Sequence, residues 1–450
     1  MAEFSTPTST GTLAITETNM LNGLTPKAAI VVLTLNPTWG AYAQGSTHVS
    51  VGFGANDGNM ANTRSYRHYS TSSNDRQETN IDRVIGMGSG ATAGVIADIA
   101  SWDADGITLD FSAVTATSYK GFVILFAGDD LEAEVITSDL GATSATGLSR
   151  EPDVMFVNSQ HINSYPTSST GFASRGFGFI HNDKSNPGTL TYGNTSVLST
   201  NSSSRGHTSN VSGFHTDIEL DGEADAFKHY TISNLTDSGF DIDTTGTGTR
   251  GYSFGFLALT WHNGVNVKIL NDLPTTPTGT GNVSTTGIGF EPSWGLWQFS
   301  WSGTSATDKD AHTSFNLLTT GDPATGEFSM TECNQDGSSL TLGSGTFMDN
   351  TQQAGRIWTG NPYFQRTLTS WDSDGFTFNY SQEMTGSRSM PAILIGFPYL
   401  MESPGSPEDE ALLSPGSPEG PESPADGDPA LLLESGDYIL LENGDKILLE

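Results

Sequence analysis

Two short stretches gather carboxylates around a glycine turn. One reads Ser101-Trp102-Asp103-Ala104-Asp105-Gly106-Ile107-Thr108-Leu109-Asp110-Phe111, the other Ser370-Trp371-Asp372-Ser373-Asp374-Gly375-Phe376-Thr377-Phe378-Asn379-Tyr380. Hard oxygen ligands folded around a Gly turn are what a calcium ion requires. Asp103, Asp105 and Asp110, with Asp372 and Asp374, are therefore candidate metal ligands, and Ca²⁺ is the one cofactor the sequence suggests. Neither copy supplies the further oxygens, or the Glu at the twelfth loop position, that complete an EF-hand. Asp and Gly also build turns through backbone chemistry alone, and that is the reading the sequence favours.

A second chemistry is aromatic. Indole faces beside Asp, Asn and Gln hold sugars by stacking and hydrogen bonding. Trp294, Trp297 and Trp301 do not share one strand period, so at least one of them faces outward. Trp294 and Trp301 are the candidate ligand contacts, with core packing as the competing role.

Other motifs resolve to ordinary roles. Gly246-Thr247-Gly248-Thr249-Arg250-Gly251 matches a dinucleotide fingerprint, but the strand pattern Tyr252-Ser253-Phe254-Gly255-Phe256 follows where a helix is needed. His207 and His215 lie near Asp217 and Glu219 without compact metal-ligand spacing. The one cysteine, Cys333, has acidic and neutral neighbours that do not favour a thiolate. No nucleophile elbow is present. No residue is assigned a catalytic role, and the chain reads as a non-enzyme.

Strands must position these residues. After each Gly turn, apolar residues occupy every second position, which is the period of a half-buried strand. A third, degraded copy, Asn234-Leu235-Thr236-Asp237-Ser238-Gly239-Phe240-Asp241-Ile242-Asp243, repeats the pattern. A dense apolar run follows each copy: Phe122-Val123-Ile124-Leu125-Phe126, Phe254-Gly255-Phe256-Leu257-Ala258-Leu259 and Ile393-Leu394-Ile395-Gly396-Phe397. Upstream, Pro26, Pro152 and Pro292 each open another apolar run at a similar spacing. Self-similarity at this long period indicates repeated domains rather than a solenoid.

The fold class expected is all-β: three tandem antiparallel β-sandwich domains, an extended acidic linker and a C-terminal β-hairpin tag. Residues 1–22 read as an N-terminal arm, 23–136, 148–270 and 288–400 as the three sandwich repeats, and 401–430 as a Pro-rich acidic linker. Residues 431–450 form the tag, where Glu434-Ser435-Gly436-Asp437-Tyr438-Ile439-Leu440-Leu441 recurs as Glu442-Asn443-Gly444-Asp445-Lys446-Ile447-Leu448-Leu449. A lone hairpin is marginal, and its open edges invite another chain. Tyr438, Ile439, Leu440, Leu441, Ile447, Leu448 and Leu449 are thus candidate docking or oligomerisation contacts.

Composition narrows the partners. A formal net charge of −33 disfavours nucleic acid and anionic membranes. No apolar run is long enough for membrane insertion. The first residues lack the basic region and apolar core of a secretory signal. A single cysteine provides no disulfide framework.

The Gly-Phe-x-Pro opening, the Asp-Gly-Phe-Thr strand, the apolar closing strand and the terminal ESGDYILLENGDKILLE segment together resemble structural proteins of tailed bacteriophages. The second repeat departs from this pattern, with Thr236-Asp237-Ser238-Gly239 at the turn and no Gly-Phe before Pro152. The resemblance implies a protein on the virion exterior, assembled in the host cytoplasm, as a fibre or host-attachment component. Alternatives are a capsid-decoration or head-fibre protein, and a glycan-binding or glycan-cleaving adhesin. Implied partners are other virion proteins, further copies of the chain (a trimer among them) and a host-surface glycan or receptor.

Overall fold

The computed structural model describes residues 1–397 apart from 45, 69–75, 88–93, 140, 161–166, 171, 182–187, 199–200, 210–214, 219–226, 247–252, 271–278, 300–311, 322–325, 336–343, 356–363 and 383–389. The linker and tag lie outside the described residues, as does Trp301. The all-β class holds: among the described residues one short helix, Thr18–Leu21, accompanies antiparallel strands throughout.

One pair of sheets recurs three times. In the first unit the large sheet runs Ala2–Ser5, Lys120–Ala127, Pro26–Thr34, Ser46–Ala55, Met60–His68, Arg76–Asn80, and the small sheet Gly11–Thr16, Gly106–Ala113, Val95–Asp103, Ile85–Met87. The second and third units repeat both orders, their large sheets starting on Leu131–Ser138 and Asn266–Leu270. Residues 1–22 are thus not a free arm. They supply an edge strand to each sheet, as do Ser144–Thr146 and Gly281–Thr286 from stretches that read as linkers. The reason lies in their polarity. Gly281–Thr286 exposes every second side chain, and an edge strand of Ser, Thr and Asn looks like a loop when read alone.

The apolar runs show why the units do not stand apart. In Pro26–Thr34, Ala28, Ile30 and Val32 enter one core while Ala29, Val31 and Leu33 enter another. The run is continuous because both faces of the sheet are buried. The second face of each large sheet packs against its own small sheet, giving three outer cores. The first faces of all three large sheets meet in a single shared core. Residues expected as three tandem sandwiches thus fold into one body, Met1–Pro398, with a common centre.

Contacts across that centre link each pair of units. Phe53 meets Phe177 at 6.0 Å, Phe156 meets Trp294 at 5.9 Å, and Phe122 stacks on Phe328 at 5.2 Å. Such pairs add roughly 0.5–1.5 kcal/mol each beyond the area they bury. Two buried side-chain amides follow one direction around the ring. Asn158 of the second unit donates to the Val51 carbonyl of the first at 3.4 Å, and Gln298 of the third donates to the Phe177 carbonyl of the second at 3.1 Å. Strand exchange keeps the same sense. Tyr42–Gln44 of the first unit pairs with Ser344–Asp349 of the third, and Thr167–Thr170 of the second pairs with Arg76–Asn80 of the first.

The turn glycine of each repeat now has a physical cause. A Cβ on Gly106, Gly239 or Gly375 would lie 2.0, 2.2 or 1.9 Å from the carbonyl oxygen of Ile15, Ala145 or Thr285 on the neighbouring edge strand. Gly239 also sits at φ +151°, where a side chain is strained.

Candidate functional site

The acidic turns come first. Asp103 accepts hydrogen bonds from Ser101 Oγ at 2.9 Å and Thr108 Oγ1 at 2.6 Å. Asp372 accepts from Ser370 Oγ and Thr377 Oγ1, each at 2.8 Å. Asp105, left-handed at φ 62°, accepts from the Gly23 N–H at 2.5 Å. Asp374 accepts from the Gly287 and Gly289 N–H groups at 2.9 and 2.5 Å, and these bonds hold its carboxyl below the usual range. Asp110 stands further along its strand, opposite Thr12 and Asp98. The two acids of each turn therefore face different donors. One ties the hairpin across its strands and the other ties it to the preceding loop. Among the described residues no three His, Cys, Asp or Glu side chains gather as a metal site.

The tryptophans separate by strand face. Trp297 points into the third outer core, fully buried, 6.4 Å from Trp371 and stacked on it. Trp294 points the other way, to the shared core, and is only partly buried. It lies edge-on to Phe126 at 5.4 Å and to Phe156 at 5.9 Å.

Trp294 also forms a wall of a cavity of ≈ 260 Å³ to which all three units contribute. Phe126 and Ala127 come from the first unit, Trp261 from the second, and Trp294, Ile395 and Phe397 from the third. These residues sit at or just beyond strand ends, and Met1, Leu21, Leu125, Ser293 and Gly321 complete the lining. Trp261 meets Phe397 at 5.9 Å. The Trp261 N–H donates to Asp153 Oδ2 at 2.7 Å, and burial pushes the Asp153 carboxyl up. Ser293, the neighbour of Trp294, donates its N–H to the Ile395 carbonyl at 2.8 Å, which fixes the opening of that strand. The indole N–H groups of Trp261 and Trp294 are shielded from solvent and meet no acceptor, and the cavity wall is mostly apolar.

Chemically, this arrangement can hold an apolar group. The sequence pointed to Trp294, but as a sugar platform among polar residues. Trp261, Phe397 and Phe126 were not singled out, being far apart in the chain. A signal existed: Trp261 and Phe397 each stand two residues beyond matching positions, Leu259 and Ile395, of the closing strands. Both are large aromatics where a strand should give way to a polar turn.

No protein family, curated protein or solved structure matches this chain. The functional reading rests on geometry and on the sequence pattern.

Proposed function

We propose that this chain is a non-enzymatic structural protein on the exterior of a tailed-phage virion, serving as a fibre or host-attachment component. The observation that carries the reading is the shared core closed by exchanged strands. One chain thereby builds a threefold-like body from three similar pairs of sheets. Loops on such a scaffold are where binding functions concentrate. The acids that looked most chemical support the same reading, because their oxygens hold turns together. Threefold arrangement already lies within the chain, so association with further copies and other virion proteins falls to the terminal segment. A host glycan or receptor is the ligand the loops would meet.

A second reading, capsid decoration or head fibre, is favoured by the same pseudo-symmetry. A single chain with three similar faces can sit on a local threefold position of a shell without forming a trimer. Copy number distinguishes the two. Quantitative mass spectrometry of purified particles, referenced to the major capsid protein, is expected to give a handful of copies for a fibre. Hundreds of copies would establish decoration instead. Absence from particles would overturn both.

A further inference from the structure

We propose that the cavity at the junction of the three units seats one large apolar side chain from a cationic peptide segment of a partner protein. The inference does not depend on where the protein resides. Size comes first: ≈ 260 Å³ is below the roughly 300–1,000 Å³ of small-molecule pockets and suits a single anchoring side chain. Lining comes second. Four aromatic side chains line the space together with aliphatic ones, and neither indole N–H is open to solvent. Access comes third. Phe397, at the rim, is 41 % exposed and is one of two large hydrophobic side chains so exposed among the described residues. A half-exposed aromatic beside an apolar recess is the form of an interface hot spot.

Charge selects the partner. Asp129 and Asp130 follow Ala127 after one glycine, Glu291 stands two residues before Ser293, and Glu151 holds the corresponding place in the second unit. Asp129, Glu151 and Glu291 are exposed. Three cations accompany these segments, one of them the buried ammonium of Met1, which lines the cavity and whose charge burial disfavours. Arg150 is held by Glu132 at 3.0 Å, and Lys27 lies just past Pro26. The same Glu132 also bonds His262 Nε2 at 2.9 Å. The segments that adjoin this mostly apolar recess are therefore acidic, in a chain of net charge −33. An apolar side chain flanked by Lys or Arg satisfies both parts, whereas an acidic segment would be repelled.

The test uses the full chain and three blocked tripeptides, Lys-Trp-Lys, Glu-Trp-Glu and Lys-Ala-Lys, with free indole as a fourth probe. Saturation-transfer NMR titration is expected to show the indole protons of Lys-Trp-Lys receiving magnetisation. Affinity should fall about tenfold or more for each other probe, and about threefold or more for Lys-Trp-Lys when salt is raised. Phe397→Ala and Ala127→Trp, one removing the rim and one filling the recess, should each weaken Lys-Trp-Lys by about fivefold or more. Thermal melts establish that each variant is folded, and Phe397→Ala alters a side chain already half in water. Equal binding of Glu-Trp-Glu or free indole overturns the proposal. So does binding untouched in the folded variants, or no transfer to any peptide.

Discussion

The hairpin turns of the first and third units bind one carboxylate to two hydroxyls, whereas the second unit, with the parts exchanged, binds its carboxylate to a side-chain amide. In the outer units the acid, Asp103 or Asp372, stands before the turn and takes hydrogen bonds from a Ser two residues earlier and a Thr on the returning strand. In the second unit the positions of Ser, Asp and Thr carry Asn234, Thr236 and Asp241. The acid has crossed to the returning strand, where Asp241 Oδ2 accepts from Asn234 Nδ2 at 2.6 Å. Thr236 keeps the turn by donating to the Gly239 carbonyl at 3.0 Å. What persists is a bridge across the hairpin and a glycine beneath the edge strand. The identity of the acid-bearing strand does not persist, which is why this copy reads as degraded.

The glycine should give the largest effect, and a large one in every unit. Gly106→Ala, Gly239→Ala and Gly375→Ala each force an edge strand away from a backbone oxygen. Denaturant unfolding is expected to show losses of about 3 kcal/mol or more. If one of the three were tolerated, the claim that all units share this close approach would fail for that unit.

Next comes a difference private to the third unit. The cross-strand pair at one matching position is Ala97 with Phe111 in the first unit, Tyr230 with Thr244 in the second and Arg366 with Tyr380 in the third. Arg366 is fully buried. Its Nε donates to Gln353 Oε1 at 2.8 Å, its Nη1 donates to Tyr380 Oη at 3.1 Å, and its guanidinium lies 4.0 Å from the centre of the Phe378 ring. Arg366→Ala should cost roughly 3–5 kcal/mol, because it strands buried partners and opens a cavity. Arg366→Met, which keeps volume, should cost visibly less.

Glu327 lies in the same region, accepting the N–H of Gln353 at 3.1 Å and that of Leu368. Burial pushes its carboxyl up to about 7, against the lesser pull of those N–H groups and of Arg366. A folded pKa above the unfolded one means stability is fully present below the unfolded value and is lost as pH rises through the folded one. Unfolding free energy should therefore decline between about pH 4.5 and 7, by roughly 3 kcal/mol at most. Glu327→Gln should flatten that slope. A slope unchanged by the variant would assign it to other groups.

These elements show what a sequence reader can see. Period-2 runs and Gly turns are local, so strands and the threefold repetition were legible. The shared core was half legible. A run such as Ile30-Val31-Val32-Leu33 announces burial on both faces, yet not that the second face meets other units. Edge strands such as Gly11–Thr16 were hidden, because a strand with one solvated edge and a Ser/Thr surface carries little apolar signal. Arg366 was hidden for the opposite reason: a charge in a strand reads as exposed unless its aromatic surroundings are known. The cavity residues meet only through the closure of three units, and no local pattern records that.

The exchanged turn can be tested directly by moving it. Asp103→Thr alone removes the acceptor of two hydroxyls and should cost about 1–2 kcal/mol. The triple change Ser101→Asn, Asp103→Thr, Thr108→Asp installs the second unit's arrangement in the first and should recover most of that loss. Failure to recover would mean the two arrangements depend on their own surroundings and are not equivalent bridges.

The smallest effect expected is that of calcium, and it bears on the same contrast. An ion held at Asp103 and Asp105, or at Asp372 and Asp374, would stabilise the fold by about 2.7 kcal/mol at a hundredfold excess over its dissociation constant. It would have to displace the Ser, Thr and Gly donors that these carboxylates already accept. Thermal melts with added Ca²⁺ and with EDTA should therefore coincide within about 1 °C, well below the shift that such a gain would bring. A calcium-dependent rise abolished by Asp372→Asn would reverse the assignment. It would also turn the second unit, which lacks the paired acids before its glycine, from a rearranged bridge into the one turn that lost its ion.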